Sequence, residues 1–373
     1  MQTPGISKKH APTRTSVRSP ATVTVAQLPE FDEIVDVRSE AEFAEDHVPG
    51  AVNCPALDND ERARVGTIYK QQSPFEAKKI GAALIAANIS RHLKGQFLDR
   101  PRQWRPLFYC WRGGDRSGAF AEVFSRVGWR VGQLGGGYKS YRRAIVADLA
   151  RHPGGFRWRV VCGLTGTGKS RLLRTLHDAG GQVLDLEALA AHRGSVLGDL
   201  PGAPQPGQRM FDSLVWKALR GFDPKRPVYV EAESKRIGTV RVPESLIEQM
   251  WKSECIVLEA PVAARLELLK QEYAHLLADT DVLIRALDCL IPMHGHAIVG
   301  SWRELAIAKR WDKLINELLA RHYDPAYTRA IGKHYSALAD ALKLTLTGVE
   351  DAAFSSLARH CLETEKSREK AAS

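Results

Sequence analysis

The run PLFYC, residues 106–110, ends on a cysteine, and the residues after it, Trp111-Arg-Gly-Gly-Asp115-Arg116, have the composition of an anion cradle. Ser117 then begins a helical run. Loop N–H groups, the positive end of that helix and the guanidinium groups of Arg112 and Arg116 all stabilise a thiolate and lower the Cys110 pKa below the free value of about 8.5. The thiolate is the nucleophilic form, which makes Cys110, Arg112 and Arg116 the candidate catalytic residues. Cys162, Cys255, Cys289 and Cys361 lack such surroundings and read as buried structural residues. Asp115 is the awkward member, because a carboxylate inside an anion cradle repels the substrate unless it points outward or pairs with Arg112 or Arg116.

A second stretch, Gly163-Leu-Thr165-Gly166-Thr-Gly168-Lys169-Ser170, fits G-x-x-x-x-G-K-[ST] between an apolar strand and an amphipathic helix. Glycines at these positions let successive N–H groups converge on phosphate oxygens at a helix N-terminus. Gly163, Thr165, Gly166, Gly168, Lys169 and Ser170 are therefore candidate phosphate or diphosphate ligands, with Lys169 as a mobile positive charge. The motif leaves the carrier of the diphosphate open, whether a nucleotide or something else. Acids at the ends of neighbouring strands, Asp185, Glu231 and Glu233, are candidates for the metal side, and Ser170 with Asp185 or Glu231 is a candidate Mg²⁺ site. A strand of this kind usually ends in Asp, so the Glu in VYVEAES is a departure.

Two domains must position these loops, since 373 residues exceed the roughly 250 to 300 at which single cores stop growing. Residues 1–20 form a basic, proline-containing segment that reads as a flexible tail. From Thr22, short β-rich runs (FDEIVDV, PGAVNCP, PLFYC) alternate with helical ones (EAEFAEDH, Lys78 to Leu93, GAFAEVFSRVGW), which favours a parallel sheet in a first domain over residues 21–150. The punctuation His152-Pro-Gly-Gly155 closes it. The second domain, residues 156–373, opens with strand FRWRVVCG, the glycine loop, helix SRLLRTLHDAGG and strand QVLDLE, one βαβ unit. Strands RPVYVEAES and ECIVLEA follow; from Val262 the period is mainly helical, ending in a charged tail, ETEKSREKAAS. The fold class is α/β throughout, with a helical C-terminal part.

The formal charge of +10, from 53 Lys and Arg against 43 Asp and Glu, favours polyanionic partners such as nucleic acid. Arg91, Lys94, Arg100, Arg102 and Arg105, and separately Lys235, Arg236 and Arg241, are candidate contacts to RNA phosphates, with Trp104 or Trp111 available to stack on an unpaired base. No CxxC pair or zinc spacing is present, which points to a reducing compartment, and no apolar run reaches the roughly 18 residues of a membrane span. A cytoplasmic protein without membrane partners is expected.

The first domain resembles the rhodanese family through Asp36-Val-Arg38, Glu42-Phe43, Asp46-His47-Val-Pro49-Gly50-Ala51-Val-Asn53-Cys-Pro55, the cysteine loop and Gly136-Gly137, in the family's order. That resemblance implies a sulfane sulfur or selenium carried on Cys110, with Asp36 and Arg38 as supporting residues. The cysteine loop is one residue longer than is usual in sulfurtransferases and matches the Cys-x5-Arg loop of phosphatases, which leaves a phosphatase or sulfurtransferase fused to a nucleotide-dependent kinase as the alternative. Tyr109 stands where those phosphatases usually have His.

With YCWRGG, VCGLTGTGKS, DLEALAAHRGS, VEAESKRIG and HYDPAY also present, residues 23–327 resemble the tRNA 2-selenouridine synthases. The resemblance implies a transferase that replaces the sulfur of wobble 2-thiouridine, in tRNA of the Lys, Glu or Gln type, by selenium. It implies selenophosphate as donor and an S-geranyl-2-thiouridine intermediate made from geranyl diphosphate; a monomer with no tightly bound cofactor is expected. Alkylation turns the thiocarbonyl sulfur into a better leaving group, so a selenium nucleophile can displace it. His322, Tyr323 and Asp324 are marked by this resemblance alone.

Overall fold

The computed structural model describes residues 19–372. The basic segment expected at residues 1–20 lies outside the described residues as far as residue 18. The chain divides into two compact units after Ala144, inside the helix Gly137–Leu149.

In the first unit, strands β1 (Ala21–Val23), β2 (Glu33–Asp36), β3 (Val52–Asn53), β4 (Pro106–Tyr109) and β5 (Gly132–Leu134) form a parallel sheet of order β1-β5-β4-β2-β3. Helices α1 (Glu40–Glu45), α2 (Asn59–Gln71), α3 (Pro74–His92), α4 (Asp115–Val127) and α5 (Gly137–Leu149) connect and cover it. Every residue of β4 is buried, as a central parallel strand requires. The sequence reading passes over α2, yet its start is legible: Asp58 accepts the Glu61 N–H at 2.8 Å in a capping box. Trp104 is in the core, 5% exposed, its ring centroid 5.2 Å from Phe97 and 5.1 Å from Trp129, which removes it as a base-stacking candidate.

The Asp36-x-Arg38 pair is a buried knot at the carboxyl end of β2. Both Asp36 oxygens accept from the Arg38 guanidinium, the shortest contact being 2.6 Å, and Arg38 also donates to the Asp46 carbonyl at 2.6 Å. Asn53 donates to the carbonyls of Asp36 and Arg38, and the Tyr109 hydroxyl accepts the Val48 N–H at 3.1 Å. These residues fix the strand ends from which the cysteine loop departs. With Asp36 at 0% and Arg38 at 1% exposure, Asp36→Ala strands a buried guanidinium and lowers the unfolding free energy of this unit by about 3–5 kcal/mol in urea titration. A loss under about 1 kcal/mol would show that the Asp46 carbonyl alone satisfies Arg38.

In the second unit, β6 (Trp158–Cys162) leads through the glycine loop into α6 (Lys169–Asp178), followed by β7 (Gln182–Leu184), α7 (Leu186–Ala190), α8 (Gln208–Arg220) and β8 (Val228–Glu231). A short antiparallel pair, β9 (Arg236–Ile237) and β10 (Val240–Arg241), precedes α9 (Glu244–Lys252) and β11 (Glu254–Glu259). The chain then winds through α10 (Val262–Glu272), α11 (Ala274–Ala278), α12 (Thr280–Asp288), α13 (Ile291–Ile307), α14 (Trp311–Leu318) and α15 (Asp324–His334) to β12 (Leu342–Thr345) and α16 (Asp351–Ala372). The sheet is parallel, of order β12-β11-β6-β8-β7, so the glycine loop leaves the carboxyl end of its central strand. Among the described residues no helix is long and apolar enough to cross a membrane.

The C-terminal stretch differs from the expected charged tail. α16 buries Phe354, Ala358 and Cys361 in the same core as Leu172 and Leu176 of α6. Its Glu365, 7% exposed, accepts a 2.9 Å hydrogen bond from Arg159 of β6. The charge pattern hid this apolar stripe and one buried ion pair.

Candidate functional site

Cys110 follows β4 directly and is 3% exposed. Burial works against its thiolate, but the Ser117 hydroxyl, 3.2 Å from Sγ, the Ser117 N–H, the Arg116 charge and the Arg112 N–H outweigh it, and the thiol lies below its ordinary value. Arg112 thus acts through its backbone, while its side chain is exposed. Arg116 pairs with Glu42 at 2.9 Å. Asp115 does not pair with Arg116: it is exposed in the first turn of α4, where the helix dipole favours a carboxylate, and α4 starts there rather than at Ser117.

The turn between β5 and α5 buttresses the cysteine loop. Tyr138 and Lys139 N–H groups donate to the carbonyls of Cys110 and Trp111 at 2.8 and 3.1 Å. Gln133 donates to the Gly113 carbonyl and the Ser117 hydroxyl, each at 3.0 Å. Gly113 and Gly137 both have positive φ, and a Cβ on Gly137 would lie 2.2 Å from the Cys110 carbonyl oxygen, so the close approach requires glycine. Ser117 and Gln133 were not singled out from sequence, since only the fold brings Gln133 to the loop. Ser117→Ala removes the hydroxyl donor, and the Cys110 pKa rises toward the value set by burial. The half-point of site-resolved iodoacetamide labelling moves to higher pH. No movement would assign the whole effect to the loop N–H groups and Arg116.

The glycine loop of the second unit runs from Gly163 to Ser170. Gly168 has φ 86°, and a Cβ there would lie 2.7 Å from the Phe354 ring. Lys169, 9% exposed, pairs with Glu231 at 3.4 Å. Ser170 Oγ lies 2.9 Å from Glu231 and 3.2 Å from Glu187. Glu187, Glu231 and Glu233 each offer an oxygen, all within 4.8 Å of one another. Burial and the Glu231 charge push the Glu187 and Glu233 carboxyls well up. Burial opposes the Lys169 charge, but the three glutamates outweigh it and raise the ammonium pKa. An all-oxygen set of this kind suits a hard divalent cation.

Asp185 stays apart from that cluster. Its carboxylate caps α7 by accepting the Ala188 N–H at 2.9 Å. Glu187, which the sequence reading placed inside a strand, takes the position beside Ser170 instead. The HYDPAY segment also gains a physical role. Tyr327 OH accepts the Gly163 N–H at 2.6 Å, and Asp324 binds the Arg265 guanidinium at 2.6 and 3.0 Å. Arg265, 4% exposed, donates in turn to the Thr165 carbonyl at 2.8 Å. No local pattern around Arg265 announces this contact.

Thr165, Lys169, Ser170 and the glutamates share a cavity of about 510 Å³ with Trp251, Tyr273, Tyr323, Tyr327, Ile331 and Tyr335. His322 also lines it, its ring 3.0 Å from His294. Of the basic candidates, Arg100 pairs with Glu33 at 2.8 Å and Arg105 with Asp32 at 2.9 Å, while Arg91, Lys94 and Arg102 are exposed. Lys235, Arg236 and Arg241 are exposed around the β9–β10 hairpin, Lys235 over the Trp251 ring. Trp111 is half-buried and stacks on Tyr138 with centroids 5.2 Å apart. Cys162, Cys255 and Cys361 are buried, but Cys289 is exposed at the end of α12.

The rhodanese-like domain family matches residues 23–144, and the family described as tRNA 2-selenouridine synthase AAA domain matches residues 156–284. A tRNA 2-selenouridine synthase of Aeromonas salmonicida (strain A449) is 30% identical over 329 residues, covering 80% of this chain and 87% of its own. The chain belongs to the tRNA 2-selenouridine synthase family. Relatives of that name from Nitrosomonas europaea and Nitrosomonas eutropha are 36% and 37% identical over 244 and 247 residues, in each case 64% of this chain. The match spans 63% and 62% of those two relatives' own length. Family membership joins the two loops in one kind of chain, which neither loop establishes alone.

Proposed function

We propose that the chain replaces the sulfur of 2-thiouridine in tRNA, of the Lys, Glu or Gln type, by selenium, first alkylating that sulfur with geranyl diphosphate and then displacing it with selenium from selenophosphate. The observation that carries this reading is the make-up of the cavity beside the glycine loop, where phosphate-binding groups meet aromatic and aliphatic walls from Trp251, Tyr327 and Ile331. That pairing suits a diphosphate attached to an apolar chain. In the first reaction the C1–O bond of the prenyl donor breaks, the C1–S bond forms, diphosphate leaves and the nucleobase gives up its N3 proton. Lys169 and the loop N–H groups hold the leaving diphosphate, whose charge grows as the bond breaks. A Mg²⁺ ion held by Ser170, Glu187, Glu231 and Glu233 would neutralise further charge there.

In the second reaction the Cys110 loop takes the tetrahedral selenophosphate, with Arg116 and the loop amides stabilising the anion. The Cys110 thiolate displaces the geranyl thiolate at C2, the selenium of selenophosphate then displaces the cysteine, and water breaks the Se–P bond, leaving 2-selenouridine and phosphate. The test is to incubate the protein with 2-thiouridine tRNA, geranyl diphosphate and selenophosphate, digest the RNA and weigh its nucleosides. 2-Selenouridine is the expected product. Unchanged 2-thiouridine, with ATP consumed or phosphate released from phosphate esters, would replace this reading by a phosphatase fused to a kinase.

A further inference from the structure

A small tetrahedral anion needs no more than the loop amides around Cys110, yet Cys110, Trp111 and Arg112 line a groove of about 1240 Å³ bounded by α2, α3 and α4. Its floor is the buried Ile89, with Ile85, Leu93 and Ala119 half-buried against it, and its rim carries the half-buried Val65 and the exposed Val123. Val123 is 37% exposed and Tyr69, on the same lining, is 54% exposed. Apolar side chains left open to water in a concave surface mark a binding site rather than a folding requirement. The same groove carries Arg62, Lys70, Lys78 and Arg112 against the carboxylates of Asp115 and Glu122. Glu122 is already engaged by Arg126 at 2.8 Å, and Arg116 by Glu42, so the balance facing an incoming ligand is positive.

An apolar floor with a cationic surround is complementary to an apolar chain carried on a polyanion. Resting on the proposed function, we infer that this groove receives the prenyl chain of S-alkylated 2-thiouridine in tRNA, with the RNA phosphates meeting its basic residues. The chain then serves as the handle that brings C2 of the alkylated base to the Cys110 loop. Unalkylated 2-thiouridine offers no such handle, so the groove discriminates the second reaction's substrate from the first's. The cavity beside the glycine loop keeps the prenyl donor and the Cys110 groove keeps the prenylated acceptor.

The experiment uses the full chain and three RNA stem-loops differing at one position, carrying 2-thiouridine, S-methyl-2-thiouridine or S-geranyl-2-thiouridine. Fluorescence anisotropy gives each Kd. Burial of a prenyl chain predicts binding about tenfold tighter or more for the geranyl RNA than for the 2-thiouridine RNA, with the methyl RNA close to the latter. Val123→Gln and Ala82→Gln, at exposed positions of the groove where folding is insensitive, remove most of that gain. They leave the Kd of the 2-thiouridine RNA within about twofold. Equal affinity for the three RNAs overturns the inference, as does a gain that survives both substitutions. A gain lost in Tyr327→Ala instead would place the chain beside the glycine loop and also overturn it. Because the alkylated RNA is supplied ready-made, a protein that fails to make it from geranyl diphosphate counts against the proposed function without deciding this measurement.

Discussion

Cys110→Ser abolishes selenium incorporation and leaves S-geranyl-2-thiouridine accumulating in the tRNA. The cradle depresses the pKa of a thiol, but a serine hydroxyl starts so much higher that Ser117, the loop N–H groups and Arg116 cannot bring it into range near neutral pH. Loss of an activated nucleophile costs on the order of a thousandfold or more in rate. On the proposed reading alkylation uses groups of the other unit, so its product still forms. Nucleoside mass spectrometry of tRNA after reaction reads both effects at once. Wild-type levels of 2-selenouridine would take the cysteine out of the chemistry and leave the cradle as a binding loop.

The second large effect is at Lys169. In the free protein its ammonium is the cation facing Glu187, Glu231 and Glu233, and on the proposed reading it turns toward the diphosphate when the donor binds. Lys169→Ala removes a charge-assisted contact to the leaving group at the moment its charge grows, and slows geranyl transfer by about 10²–10³. Glu231, the ion-pair partner of Lys169, still accepts from the Ser170 hydroxyl at 2.9 Å, so the carboxylate left behind keeps a hydrogen bond and the fold survives. Single-turnover alkylation of 2-thiouridine tRNA, with circular dichroism as the folding control, checks the prediction. An unchanged rate would move the diphosphate away from this loop.

Both loops were legible in the sequence because each is local: strand, glycine turn and helix start lie within a dozen or so consecutive residues. The parallel architecture was legible for the same reason, in the alternation of apolar runs with helical periods. What escaped was tertiary or was masked by charge. Asp185 looked like a metal ligand at a strand end, but Asp followed by Leu-Glu-Ala-Leu-Ala is equally a helix cap, and capping turned Glu187 toward Ser170. Arg265 reaches Thr165 across 100 residues of chain, a contact that no local period encodes. Trp104 looked available because its neighbours are basic, yet its indole completes an aromatic core with Phe97, Phe124 and Trp129.

The strand β12 pairs with β11, and Phe354 of α16 packs against Gly168 at the start of α6. A ribosome therefore delivers the glycine loop nearly two hundred residues before the pieces that brace it. The cysteine-bearing unit has every strand of its sheet by Leu134 and is free to fold as soon as it emerges. The glycine-loop unit must wait for β12 and α16, which leaves β11 as a sheet edge and α6 without its α16 partner until the last part of synthesis. Order of assembly in the cell thus runs from the cysteine-bearing half to the glycine-loop half, the reverse of the order in which the proposed chemistry would use them.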